Sequence, residues 1–199
     1  MLYQNREYWN ITDRRVLAAM DAVPRAEFVL EEDRHRAGED HPFSIGYGQT
    51  ISQPFMAAYM TEALKVQEGH KVLEIGTGSG FQTAVLYRLS RNIFTVERIP
   101  QLASSAAARF DDLNYSSIRV KTGDGREGWP EEAPFDRIMV TAAPVSIPKA
   151  LENQLAAPGR MVIPVGRRNS VQRLILVVKL PDGTVRRQEL MSVSFVPLV

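Results

Sequence analysis

The sequence predicts an α/β protein: a doubly wound, mostly parallel sheet with a C-terminal antiparallel strand and an N-terminal helical cap. Three observations carry this reading. From Lys71 onward, short apolar runs alternate with helical periodicities, as in sheets buried on both faces and wound through crossover helices. The first runs end in glycines or in an acid: "KVLEI" before Gly76, "NIFTVE" at Glu97 and "IRVKTGD" at Asp124. The last segment, "QRLILVVKL", "PDGT" and "VRRQELMSVSFVPL", has no helix between its apolar runs, and Asp182-Gly183 is a hairpin signal.

The elements follow in order. Residues 12–23 place Val16, Leu17, Met20 and Val23 on one helical face, and Pro24 stops that helix. "SIGYGQTISQPF", Ser44 to Phe55, reads as a glycine-rich loop inside a stretch from Pro42 to Thr61 without a charged side chain. A helix over 55–66 follows, with Ser52 expected to cap it and Pro54 in its first turn. The core then runs strand "KVLEI", helix "FQTAVLYRLS", strand "NIFTVE", helix "QLASSAAARFDDL" and strand "IRVKTGD". Strand "FDRIMVTAA", helix "PKALENQL" and, after a Pro158-Gly159 turn, strand "RMVIPV" complete the alternation. One domain is expected over 1–199, with 1–65 as cap and 66–199 as α/β core.

Composition excludes several classes. The chain has 199 residues, 44% hydrophobic and 24% charged, with a net charge of +1 and no cysteine. Disulfides, thiolate metal sites and a cysteine nucleophile are excluded. There is no basic excess of the kind that tracks phosphates, so no nucleic-acid partner is expected. The start lacks an apolar signal core, and no apolar run approaches the ~18 residues of a membrane span. The expectation is a cytoplasmic monomer with no membrane contact and no metal, since His35, His41 and His70 are scattered.

"VLEIGTGSGFQ" puts Gly76, Gly78 and Gly80 between a strand and a helix, where glycine allows a tight turn and close approach of a ligand. Glu97 ends the next strand, twenty-one residues after Gly76, and an acid there suits two ribose hydroxyls. Asp124 ends the third strand over the same edge. The spacing is G-x-G-x-G, not the G-x-G-x-x-G of nicotinamide enzymes. With Glu74 ahead of the loop, the set resembles class I methyltransferases, Rossmann-like proteins that bind S-adenosylmethionine. A transfer-RNA methyltransferase fits the near-neutral charge poorly. A non-catalytic cofactor-binding module stays open at this level.

The methyl acceptor is narrowed by what is absent. The position after the fourth strand reads "TAAP", Thr141 to Pro144, rather than the Asn/Asp-Pro-Pro-aromatic signature of amino-nitrogen methylation. A carboxylate, with a reference pKa of about 4, needs no base at neutral pH. The uncharged loop supplies hydroxyls and N–H groups without a competing ion.

"RAEFV", "IGYGQTISQP", "VLEIGTGSGFQTAVL", "TVERI", "GDGREGWPEEAPFDRI", "TAAP", "LAAPGRMVIPVG" and "FVPLV" occur in this order, and from about Asp13 onward the chain resembles the protein-L-isoaspartate O-methyltransferase family. The resemblance implies methyl transfer from S-adenosylmethionine, leaving S-adenosylhomocysteine, to the α-carboxylate of L-isoaspartyl residues in damaged proteins and peptides. The ester then passes through a succinimide to aspartate. It implies Ser52 as the catalytic serine, which also touches substrate together with Gln53, Val196 and Leu198. Cofactor contacts are implied for Gln49, Thr50, Ile51, Glu74, Gly76, Thr77, Gly78, Ser79 and Gln82. Further contacts are implied for Glu97 and Arg98, for Asp124 and Gly125 at the adenine edge, and for Thr141 and Ala142 beneath the methyl donor.

Overall fold

A computed structural model describes residues 3, 7 and 9–199. Its main sheet has seven strands: β3 (Lys71–Ile75), β4 (Asn92–Glu97), β5 (Arg119–Thr122), β6 (Phe135–Val140), β7 (Leu155–Val165), β8 (Gln172–Lys179) and β9 (Val185–Val193). Their order is β5-β4-β3-β6-β7-β8-β9. The first five in space are parallel, and β8 is antiparallel to both neighbours. The chain therefore moves outward from β3 to β5, then returns to start β6 on the other side. That switch point opens a crevice at the carboxyl ends of β3 and β6.

Two-residue periodicity divides the core. Val72, Ile93, Met139 and Val162 face one layer, with residues of α1 (Arg14–Ala22), α2 (Pro54–Leu64), α3 (Phe81–Leu89) and α4 (Pro100–Asp112). Their neighbours Leu73, Phe94, Ile138 and Met161 face the opposite layer, with Trp129 and with Leu151 of α5 (Lys149–Gln154). The meander β7-β8-β9 supplies the order of the last strands, which the sequence pattern left open.

Three local expectations change. The loop at Ser44 is a β-hairpin, β1 (Phe43–Gly46) against β2 (Gln49–Ile51), turning at Tyr47 and Gly48, whose φ values are 53° and 69°. Positive φ at both turn residues gives the twist that two-residue hairpins favour. Second, Ser52 does not cap α2. The helix starts at Pro54 with Gln53 in the cap position and no cap bond from that side chain. Instead the Phe55 N–H donates to Asp40 Oδ1 at 2.8 Å, from fifteen residues upstream. Third, Pro158-Gly159 does not precede a strand but lies within β7, as an irregularity where Leu155 pairs with Phe135 and Arg160 with Arg137.

The cap is tied to the sheet at the far end of α2. Lys65 there takes a left-handed conformation. Arg160 donates to the Ala63 carbonyl at 3.1 and 3.0 Å, and Arg137 to the Lys65 carbonyl at 3.1 Å, satisfying carbonyls that a helix end leaves open. Among the described residues, no helix is long and apolar enough to cross a membrane.

Candidate active site

The crevice holds a cavity of about 330 Å³. Its floor is made where strand ladders run past their ends. Gly76 N–H donates to the Val96 carbonyl (2.8 Å), and Thr141 N–H to the Ile75 carbonyl (2.9 Å). The Thr141 hydroxyl lies 3.0 Å from the Ile75 carbonyl and 2.8 Å from that of Gly76. Gly76 has φ +96°, and a Cβ there would run into that hydroxyl. Glycine is required twice over at this position, by conformation and by space.

Glu97 is buried at the mouth of β4. Its Oε2 accepts the Gly78 N–H at 2.8 Å, and its Oε1 accepts the Ile99 N–H at 3.0 Å. A carboxylate has about four acceptor sites, so two remain for hydroxyls of a ligand. Beside it, Ile75, Val96, Ile99 and Leu198 give an apolar slot. A Cβ on Gly125 would overlap Ile75 Cγ2 and come within 3.2 Å of Leu198 Cδ1. A slot kept open by a missing side chain, next to a carboxylate with spare acceptors, fits a nucleoside.

The C-terminal segment closes this side. Ala143 N–H donates to the Val196 carbonyl at 2.8 Å, and Leu198 N–H to the Ala143 carbonyl at 2.9 Å. The opposite wall is the hairpin, through Ile45, Gln49 and Thr50. A smaller cavity of about 40 Å³ adjoins, lined by Ile51, Ser52, Thr77, Ser79 and Gln82, and it shares Thr50, Gly76, Gly78 and Thr141 with the larger one. The two walls are coupled, because Gln82 Nε2 on α3 donates to Thr61 Oγ1 on α2 at 2.9 Å.

Most residues proposed from sequence thus converge. Gln49, Thr50, Gly76, Gly78, Glu97, Arg98, Gly125, Thr141, Ala142, Val196 and Leu198 line the main cavity, and Ile51, Ser52, Thr77, Ser79 and Gln82 the smaller one. Three stand apart. Gln53 lines neither. Asp124 turns its carboxylate to Arg126, with Arg126 Nη2 at 2.6 Å, and that bond holds it below the usual carboxylate range. Only its neighbour Gly125 reaches the slot.

Glu74 lies under the loop, fully buried, and accepts from Thr83 and, at 2.8 Å, from Thr95. Loss of water raises its pKa to about 8. Thr95 in turn bonds Thr77 at 2.6 Å, so Glu74 supports the loop from below. Ile45, Ile75, Val96, Ile99, Pro197 and Val199 were not singled out from sequence. The strand-terminal positions of Ile75 and Val96, directly before Gly76 and Glu97, were the available signal. Among the described residues, no group of three or more metal-ligating side chains exists.

A doubly wound sheet, a G-x-G-x-G turn at its switch point and an acid at the next strand end define a Rossmann-like class I methyltransferase. Solved structures agree in fold. A protein-L-isoaspartate O-methyltransferase superposes with TM-score 0.86 at 25% identity, covering 96% of this chain and 62% of that one. A putative Plasmodium falciparum protein-L-isoaspartate O-methyltransferase, in complex with S-adenosyl-L-homocysteine, gives 0.85 at 24% identity, covering 100% and 96%. The chain belongs to the protein-L-isoaspartate(D-aspartate) O-methyltransferase (PCMT) family, which it matches over residues 1–199. It is 51% identical to protein-L-isoaspartate O-methyltransferase 2 of Polaromonas sp. over 186 residues, 94% of this chain and 88% of the relative. The Gloeobacter violaceus enzyme is 51% identical over 183 residues, covering 92% and 89%. The activity is that of an S-adenosylmethionine-dependent protein repair enzyme acting on isoaspartyl residues.

Proposed function

We propose that the main cavity binds S-adenosylmethionine and that the hairpin presents the isoaspartyl α-carboxylate beside it, with Ser52 orienting that carboxylate. The carrying observation is that hairpin and glycine loop wall the same space: Thr50, Gly76, Gly78 and Thr141 border both cavities. Glu97 takes the ribose hydroxyls, and the slot between Ile75, Val96, Ile99 and Leu198 takes the adenine, with Gly125 at its edge. Gly76, Thr77, Gly78, Ser79 and Gln82 surround the amino-acid end. Thr141 and Ala142 form the floor, Arg98 the rim, and Val196 and Leu198 the closing flap.

The bound donor supplies an electrophilic methyl group, to which a carboxylate oxygen bonds as the carbon–sulfur bond breaks and its electron pair leaves on sulfur. The acceptor is anionic at neutral pH, since its reference pKa is about 4, so no residue has to remove a proton. The protein's part is to align the carboxylate and exclude water. The hairpin's hydroxyls and N–H groups do this without a charge that would hold the carboxylate back. The same proposal takes the chain as one domain, with 1–65 as cap and substrate loop and 66–199 as cofactor core. It acts as a cytoplasmic monomer on isoaspartyl proteins, without nucleic-acid or membrane partners, as its near-neutral charge supports.

Incubation with methyl-labelled S-adenosylmethionine and an isoaspartyl peptide or its aspartyl twin tests the reading. Base-labile label is expected on the isoaspartyl peptide alone, and label on neither peptide despite cofactor binding refutes it. Ser52→Ala should lower turnover while leaving S-adenosylhomocysteine affinity within a few-fold. A comparable loss of affinity would move Ser52 from acceptor to cofactor.

A further inference from the structure

Arg25 is a charged side chain in the interior of the cap, only 3% exposed. Its guanidinium lies between the rings of Phe43 and Phe81, 5.3 and 5.6 Å from their centroids. Its hydrogen-bond partners are main-chain carbonyls: Ala37 at 2.7 Å, and His41 and Ser52 both at 3.0 Å. Among the described residues it has no ion pair, and its Nε is buried without a partner. Loss of water pulls its pKa down to about 10, so it remains a cation at neutral pH. A buried cation without a bonded carboxylate is unfavourable unless its donors are used well.

The use made of them is specific. The fork joins three carbonyls 12, 16 and 27 residues away, which a planar guanidinium reaches and a single ammonium nitrogen does not. The last of them is the main chain of Ser52, between the end of β2 and the start of α2. Asp40, next to His41, fixes the other end of the same turn through Phe55 N–H. Segment 37–41 thus grips the Ser52–Phe55 turn twice, once through Arg25 and once through Asp40. On its other side Arg25 packs on Phe81, the first residue of α3 and a neighbour of the glycine loop.

We propose that Arg25 is a positioning residue for methyl transfer: its fork fixes the main chain of Ser52 relative to the glycine loop, so that the serine hydroxyl is aimed at the acceptor. The proposal rests on the role given to Ser52 above.

The test is a double-mutant cycle on the full chain with Ser52→Ala, Arg25→Lys and both. S-adenosylhomocysteine affinity is measured by calorimetry, and kcat and KM for an isoaspartyl peptide at saturating donor, at a temperature where melting curves show each protein folded. Arg25→Lys keeps the charge and loses the fork. Its kcat is expected to fall about tenfold, the scale of one misplaced charge-assisted hydrogen bond, with S-adenosylhomocysteine affinity within about threefold. In the Ser52→Ala background the same change should lower kcat by less than about twofold, because the aim no longer matters. A folded Arg25→Lys with unchanged kcat, losses that multiply in the double variant, or a loss of cofactor affinity equal to the loss of kcat would each overturn the proposal. If Ser52→Ala itself leaves kcat intact, the serine assignment fails first and the proposal falls with it. Where Arg25→Lys does not fold, Phe43→Leu decides by loosening the guanidinium's seat. A fall in kcat at constant cofactor affinity supports the proposal, and an unchanged kcat overturns it.

Discussion

On the core wall of the cavity, Glu97 holds the Gly78 N–H from the end of the adjacent strand, and Thr141 sits over the carbonyls of Ile75 and Gly76. On the cap wall, the Ser52 carbonyl is held by Arg25, and the first turn of α2 by Asp40. The core wall is built from residues that the parallel sheet must bring together, because β3, β4 and β6 are neighbours in register. Its bonds follow from the topology. The cap wall joins the two-stranded hairpin to the start of α2, and its shape depends on side chains reaching across loops. A site can thus join a cofactor half set by sheet geometry to an acceptor half set by individual long side chains.

The largest test of this contrast is Gly76→Ala. The added Cβ meets the Thr141 hydroxyl in a backbone at φ +96°, and strain of this kind is worth about 1–3 kcal/mol before the clash. S-adenosylhomocysteine affinity measured by calorimetry should fall at least about tenfold. Full affinity would mean that the core wall is more pliant than the cap.

Glu97→Ala comes next. It removes the carboxylate and leaves the Gly78 and Ile99 N–H groups without their acceptor. Cofactor binding should weaken by about 1–3 kcal/mol, and unchanged binding would remove the ribose role.

Glu74 sharpens the contrast from below the loop. Its folded pKa, about 8, stands above its unfolded value, so the folded state holds an extra proton between them. Stability from this group is complete below the unfolded pKa and is lost as pH rises toward 8, by up to about 1.4 kcal/mol per pH unit. Thermal melts from pH 5 to 8 should show Glu74→Gln gaining on the parent chain as pH rises. Parallel melting curves would show that the carboxylate is charged in place.

The smallest effect belongs to the cap. Asp40→Ala removes the acceptor for Phe55 N–H and should cost about 1 kcal/mol of stability, the typical value of a helix cap. Thermal denaturation measures it, and a much larger loss would show that the cap wall is as tightly determined as the core.

The strand ends, the glycine loop, Glu97 and the helix-free C-terminal end follow from local pattern, because two-residue alternation and turn residues act over a few positions. Other features needed the folded chain. The resemblance puts Asp124 at the adenine edge, and only the folded chain shows its carboxylate bonded to Arg126, two residues on. Glu74 reads as a ligand contact until the pleat of β3 turns it toward Thr83 and Thr95.

The sequence by itself determined the doubly wound sheet, the site's place at its switch point and Gly76, Gly78 and Glu97 within it, since periodicity and strand-end chemistry are local, while the family resemblance supplied most of the other cavity residues. Only the tertiary structure decided that Asp40 rather than Ser52 caps α2, that the uncharged loop is a hairpin, and that a buried Arg25 stands behind it. Those bonds span 15 and 27 residues, and no local pattern encodes which side chain will arrive at a carbonyl or N–H so far along the chain.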